Sequence, residues 1–516
     1  MNPERLIFGQ PATSLSERHP SASRILWLWN TYLENVNLPV KVLHVPTVQH
    51  LVLTAASDPA KGIPANKEAL CFSIYLIALC SVPQCNYAEC ERIMGQSLND
   101  TIEMHTSLAQ QALINARFVQ TPDFITLQAL TLFLIAQRAR SYPRTLLQLI
   151  GVAFRSGQML GIHREKALRS PTVSVFQAEM SRRLWWEIVL LDSFASKQCG
   201  VTSTVSCMSL WDTKRPSNVN DTDLHPEMCE VPKDYRGITE MSFCSARSEV
   251  AELTIAYSFP SKSSRDISEA DAKIDGLQQR LEDRLLQYCD PNVPIHSMLR
   301  LFGKGALARI KLSVRRHHMY GSAGLSLEER NKTFLLCLQL AEAPNNFAKD
   351  KTVQRFLWQA NAFFPLDAFM FMLGEMVYRT PQQPLPVPEE VVWTEIEKAF
   401  ELHPRLTRDE SAIYSAVRNL TIKAWVKSSR RHAEHDEPRF IKVLGAKSPS
   451  HALDSTQRPV ETDSLNQQKN PTTNTTDASD FDFDIDSLDP SWSKIAIPND
   501  PEFWEYWQQF AELPTP

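Results

Sequence analysis

Along most of the chain, apolar side chains return every three or four residues, the period that lines one face of an α-helix. Ile25, Leu28, Trp29, Tyr32, Leu33 and Val36 mark the first stripe, and Pro39 is expected to end it. A short segment begins in "HVPTVQHLV". The run "ALCFSIYLIALCSV" from Ala69 is apolar all round and predicts a buried helix. After a mixed helix from Ser97 to about Phe118, Thr121 is the expected N-cap, with proline next, before the apolar run "FITLQALTLFLIA". The clearest stripe follows Pro143: Leu146, Leu149, Ile150, Ala153, Phe154, Gly157 and Leu160, with Gly161 placed to close the helix in a left-handed conformation.

The next helix is predicted from about Phe176 to Ala195 and carries "EMSRRLWWEIVLLDSFAS". Its apolar stripe is Met180, Leu184, Ile188, Leu191 and Ala195. Paired arginines beside paired tryptophans are also what a nucleic-acid surface uses, guanidinium for phosphate and indole for bases. Here both arginines have partners on their own helix. Glu179 and Glu187 lie a turn before and after Arg183, and Arg182 is close enough to Trp186 for guanidinium to lie along indole. A structural role for Arg182, Arg183, Leu184, Trp185, Trp186 and the following Asp192 is therefore expected.

Ile274, Leu277, Leu281 and Leu285 give a further stripe, and helices are predicted over Met298 to Met319, Ser326 to Ala343, Thr352 to Val377 and Val391 to Lys427. No run alternates strictly and no fixed repeat recurs, so the expected class is all-α, an irregular multi-helix array. The expected organisation is a polar leader at 1–23, a helical domain at 24–430, a disordered linker at 431–477 and an acidic-aromatic tail at 478–516. The linker is expected because Ser, Thr, Asn, Gln and Pro dominate after about Lys447, too polar to offset the entropy of ordering. In the tail, aspartates alternate with Phe481, Phe483, Ile485 and Leu488, and Trp492, Phe503, Trp504 and Trp507 follow. Acidic residues keep such aromatics soluble yet available to a partner's groove, a composition suited to activation. Docking of the tail on its own helical domain is the competing reading.

Charge and chemistry narrow the classes. A net charge of -5 argues against a strongly basic nucleic-acid-binding domain dominating the chain. The first residues do not form a signal peptide, and the apolar runs are shorter than the roughly 18 residues of a spanning helix, so no membrane partner is expected. The 10 cysteines include no Cys-x-x-Cys pair, and Cys80, Cys85 and Cys90 would scatter around a helix, which leaves no metal site and no zinc finger. Nucleophile-elbow, zincin, phosphate-loop and dinucleotide motifs are absent, and "GKGALA" at Gly303 is expected to start a helix. Asn220, Asp221 and Asp223 form the one compact acidic group, expected to cap a loop. "KSSRRHAEH" from Lys427 reads as an import patch or as basic residues at a helix C-terminus. No catalytic, cofactor-binding, metal-binding or DNA-binding residue is assigned, and no cofactor is expected.

Three blocks resemble the fungal-specific transcription factor domain, the middle homology region of binuclear zinc cluster regulators. "LWLWNTYLENVNLPVKVLHVPTVQ" looks like its opening block, "AFRSGQMLGIHRE" with "FQAEMSRRLWWEIVLLDSFASKQCG" is similar to its central helical signature, and "WDTKRPSNVNDTDLHPEM" resembles the loop that follows. Glu165, Ser181 and Arg215 depart from the usual residues. The resemblance covers about residues 24–430 and implies an all-helical regulatory domain, a nuclear location and an acidic activation tail. The family's six-cysteine cluster has no counterpart in these residues, so DNA binding by this chain alone is not expected. Its partners would be the transcription machinery or a DNA-bound partner regulator, with homo- or hetero-oligomers open. A non-transcriptional scaffold and an all-helical enzyme are the competing functions.

Overall fold

The computed structural model describes residues 14–446 apart from short stretches at 58–61, 121–122, 200, 207–209, 231, 258–266, 321–324, 361–363, 409–411 and 429–437. Among the described residues the chain is helical and holds no strand. The first half contains α1 (Ala22–Tyr32), α2 (Val45–Ser57), α3 (Ala65–Cys80), α4 (Tyr87–Met94), α5 (Leu98–Asn115), α6 (Phe124–Gln137), α7 (Pro143–Met159), α8 (Glu165–Leu168) and α9 (Val175–Cys199). The second contains α10 (Ser242–Tyr257), α11 (Ile267–Arg284), α12 (Pro294–Tyr320), α13 (Leu327–Lys349), α14 (Leu357–Ala360), α15 (Leu366–Tyr378), α16 (Glu389–Leu402), α17 (Arg405–Arg408), α18 (Ala412–Lys427) and α19 (Arg439–Ala446).

Three apolar clusters hold these helices. The first gathers α1 to α3, α5 to α7 and α9. At its centre lie α3 and α6, the two apolar runs, every residue from Glu68 to Leu79 and from Thr126 to Gln137 being buried. A helix that is apolar on every face needs neighbours on every side, which is why these two sit innermost. The second cluster joins α13, α15, α16, α18 and α19, and the third joins α10, α11 and α12.

The first stripe ends just before Pro39, as expected, its last turn widening into a π-turn over Leu33–Asn37 that keeps Val36 in the core. Several other boundaries differ from the sequence expectation. Thr121 and Pro122 lie outside the described residues, and α6 is capped by Asp123, whose carboxylate accepts from the Ile125 and Thr126 amides at 3.0 and 3.1 Å. Gly303 lies well inside α12 instead of opening it. The two long segments predicted from Thr352 and Val391 are each broken, because Pro365 and Pro404 cannot donate the helical hydrogen bond. By contrast α13 runs through Pro344 to Lys349.

Both polar flanks are partly folded. In the expected leader, Leu15 is buried in the first cluster and the His19 ring packs tilted against Phe72, with centres 4.6 Å apart. In the expected linker, α19 buries Ile441 and Leu444 against the second cluster, so the folded region reaches Ala446. The rest of the linker and the whole tail, from Phe481 to Trp507, lie outside the described residues.

Candidate functional site

The signature helix α9 is 25 residues long and buried over most of its length. Leu184 and Trp185 have no exposed surface, and Trp186 is almost as deep. Trp185 fits against α7 because position 157 is glycine: a Cβ there would meet the indole Cζ3 at 3.0 Å. Gly161 has φ +74°, so the expected left-handed cap turns the chain out of α7 toward α8. Trp211 comes from the following loop and packs edge-on to Trp186, with ring centres 5.3 Å apart. These tryptophans are core, and no base could stack on them.

The polar residues of α9 fasten the loop between α9 and α10. Asp221, 3% exposed, accepts from Arg183 Nη1 on Oδ1 at 2.8 Å and from Lys41 Nζ on Oδ2 at 2.8 Å. The same Oδ2 takes the Val45 amide at 2.9 Å, and the Asp221 carbonyl accepts from His44 Nε2 at 3.0 Å. Lys41 also reaches Glu240 at 2.8 Å. Burial works against the Asp221 charge, but Lys41 and then Arg183 outweigh it and hold the carboxyl below its ordinary value. Asn220 and Asp223 close a capping box around the turn Asp221–Asp223, so the acidic triad is the expected cap, with Asp221 additionally committed to two cations.

Further up the helix, Glu179 accepts from the Ser217 amide at 3.0 Å. Arg182 does not lie along Trp186 as expected but reaches Glu165 at 2.8 Å, and Glu165 also takes the Lys214 amide at 3.1 Å. Burial raises the Glu165 carboxyl, yet its bonds from Arg182 and from Lys214 leave it below the usual carboxylate range. Trp186 Nε1 donates to the Lys214 carbonyl at 2.9 Å. Arg183 keeps Glu179 at 3.7 Å, but Glu187 is taken by Arg247 of α10, at 3.1 and 3.2 Å. Asp192 accepts from the Ser203 hydroxyl at 2.6 Å and from the Val205 amide at 3.3 Å. Each signature residue therefore fills the core or holds the loop, Arg182 doing so through Glu165, which takes the Lys214 amide.

Sequence reading located the helix and missed most of the partners. Lys41, Glu240 and Arg247 were not singled out, although a lone lysine inside the apolar "LPVKVLHV" is a signal, since a buried ammonium needs a carboxylate. Glu165, a departure from the family pattern, is the residue that receives Arg182. Among the described residues no three His, Cys, Asp or Glu side chains gather as a metal would require.

Beside this clamp, α2 and the first turns of α3, α6 and α9 enclose an open groove of about 670 Å³. Phe176 and Met180 present α9 to it, and His44 links it to Asp221.

The fungal specific transcription factor domain matches residues 29–234, which contain α2 to α9 and the clamped loop. The aurofusarin cluster transcription factor aurR2 of Gibberella zeae is 31% identical over 473 residues, 89% of this chain and 69% of that protein. The transcriptional regulator AacuB of Aspergillus aculeatus is 29% identical, over 82% of this chain and 58% of its own. The pyriculol/pyriculariol biosynthesis cluster transcription factor 1 of Pyricularia oryzae is 31% identical, over 81% of this chain and 57% of its own. The chain thus spans less than two thirds of the length of the latter two. With the signature helix, its loop and this alignment in agreement, the chain belongs to the family of fungal transcription regulators that carry the fungal specific transcription factor domain.

Proposed function

We propose that this chain is a nuclear regulator of a fungal biosynthetic gene cluster and works through protein contacts. The observation that carries this reading is the alignment over 89% of the chain with a relative named for the aurofusarin cluster, supported by a second named for a biosynthesis cluster. In this reading the helical domain is the regulatory body, held in one conformation by the clamp on α9. Its signature arginines are committed to carboxylates, so the helical domain itself acts on a protein partner and not on DNA. The acidic-aromatic segment 478–516 recruits the transcription machinery, with Phe481, Phe483, Ile485, Leu488, Trp492, Phe503, Trp504 and Trp507 as its contact residues.

The tail is tested by fusing residues 478–516 to an unrelated DNA-binding domain beside a reporter gene. The fusion is expected to raise the reporter at least tenfold, and alanine at Phe481, Phe483 and Trp504 together to return it to background. A silent fusion, or one indifferent to those aromatics, would favour a scaffold.

A further inference from the structure

The groove beside the clamp has the volume of a small-ligand site, which typically falls between about 300 and 1,000 Å³. Its walls are apolar: Val48, Leu51, Ile63, Phe124, Phe176 and Met180. At its base lies Gln128, only 6% exposed. Gln128 Nε2 donates to the Val42 carbonyl at 2.7 Å, which fixes the amide and leaves its oxygen as an acceptor without a protein donor. His44, also buried, is already engaged, Nε2 on the Asp221 carbonyl and Nδ1 on the Thr47 hydroxyl at 3.3 Å. Lys67 and His50 stand in the lining, which among the described residues includes no carboxylate.

We infer that this groove binds a small hydroxylated aromatic molecule. Its apolar body lies against Phe124 and Phe176, and a hydroxyl donates to Gln128 Oε1. A ligand hydroxyl on that oxygen replaces water with a sheltered hydrogen bond, a net gain of about 0.5–1.5 kcal/mol, so the site favours a ligand that brings a donor over one that does not. Lys67 at the rim suits an anionic or carbonyl oxygen on the same molecule. Because Phe176 and Met180 belong to α9 and His44 holds Asp221, the ligand touches the helix and the loop that the clamp joins. The inference is independent of the transcription reading, since it concerns binding by the chain alone.

The full chain is titrated with 7-hydroxycoumarin and with 7-methoxycoumarin, which has the same ring system but no donor, at a pH that keeps the hydroxyl protonated. The hydroxyl compound is expected to bind several-fold more tightly. Gln128→Leu should erase the difference. Thr54→Trp, on the groove face of α2 and away from the Gln128 hydrogen bond, should block both compounds while leaving the thermal midpoint in place. Equal binding of the two coumarins to the unaltered chain, binding of neither, or indifference to Thr54→Trp would overturn the proposal.

Discussion

Asp221 is where one side chain decides the most structure. Its two oxygens answer Lys41 from the segment before α2 and Arg183 from α9, all three being buried. Removing one member of such a set leaves an uncompensated charge, which costs on the order of 3–5 kcal/mol. Asp221→Asn is therefore expected to lower stability by about that amount in urea unfolding, and Arg183→Met similarly. Arg182→Met, at a side chain 11% exposed, should cost only about 1–2 kcal/mol. The pH dependence has a definite sign. Asp221 titrates below 3.8 when folded, so the unfolded chain takes up this proton first as the pH falls. The stabilisation is complete above that value and is lost as acid approaches the lower folded value, and Asp221→Asn should flatten this part of the urea-midpoint curve. Lys41 was illegible as a partner because the attraction acts across 180 residues, and no local spacing encodes it.

At the scale of elements, α7 and α9 meet where Gly157 leaves room for Trp185. A valine there must displace a fully buried indole, and overpacking of this kind costs typically 1–3 kcal/mol. Gly157→Val is expected to lower the urea midpoint by that equivalent, whereas valine at Gly151, which has open space around its Cβ position, should cost little beyond helix propensity. Helices whose apolar residues follow the 3.6 period, such as α7 and α9, were legible almost to their ends. The segments after Thr352 and Val391 were not, because the apolar pattern continues across Pro365 and Pro404 while the backbone cannot. Burial of α19 was also hidden: eight residues in a polar neighbourhood show their apolar face only once α16 and α18 are there to receive it.

For the molecule as a whole, the family blocks read from the sequence identify the helical domain, and the structure explains what they do. The signature "RRLWW" is not a nucleic-acid surface; its tryptophans form core and its arginines fasten a loop. The groove beside it was not legible, since its lining comes from α2, α3, α6 and α9, elements brought together only by folding. The proposal that the chain governs a biosynthetic gene cluster rests on its likeness to fungal regulators named for such clusters. The most direct test is to delete its gene in the native fungus and measure all transcripts under conditions where the chain is expressed. The expected result is a fall of at least tenfold confined to one contiguous set of biosynthetic genes, restored by the intact gene. Transcripts of every such set left unchanged would contradict the account.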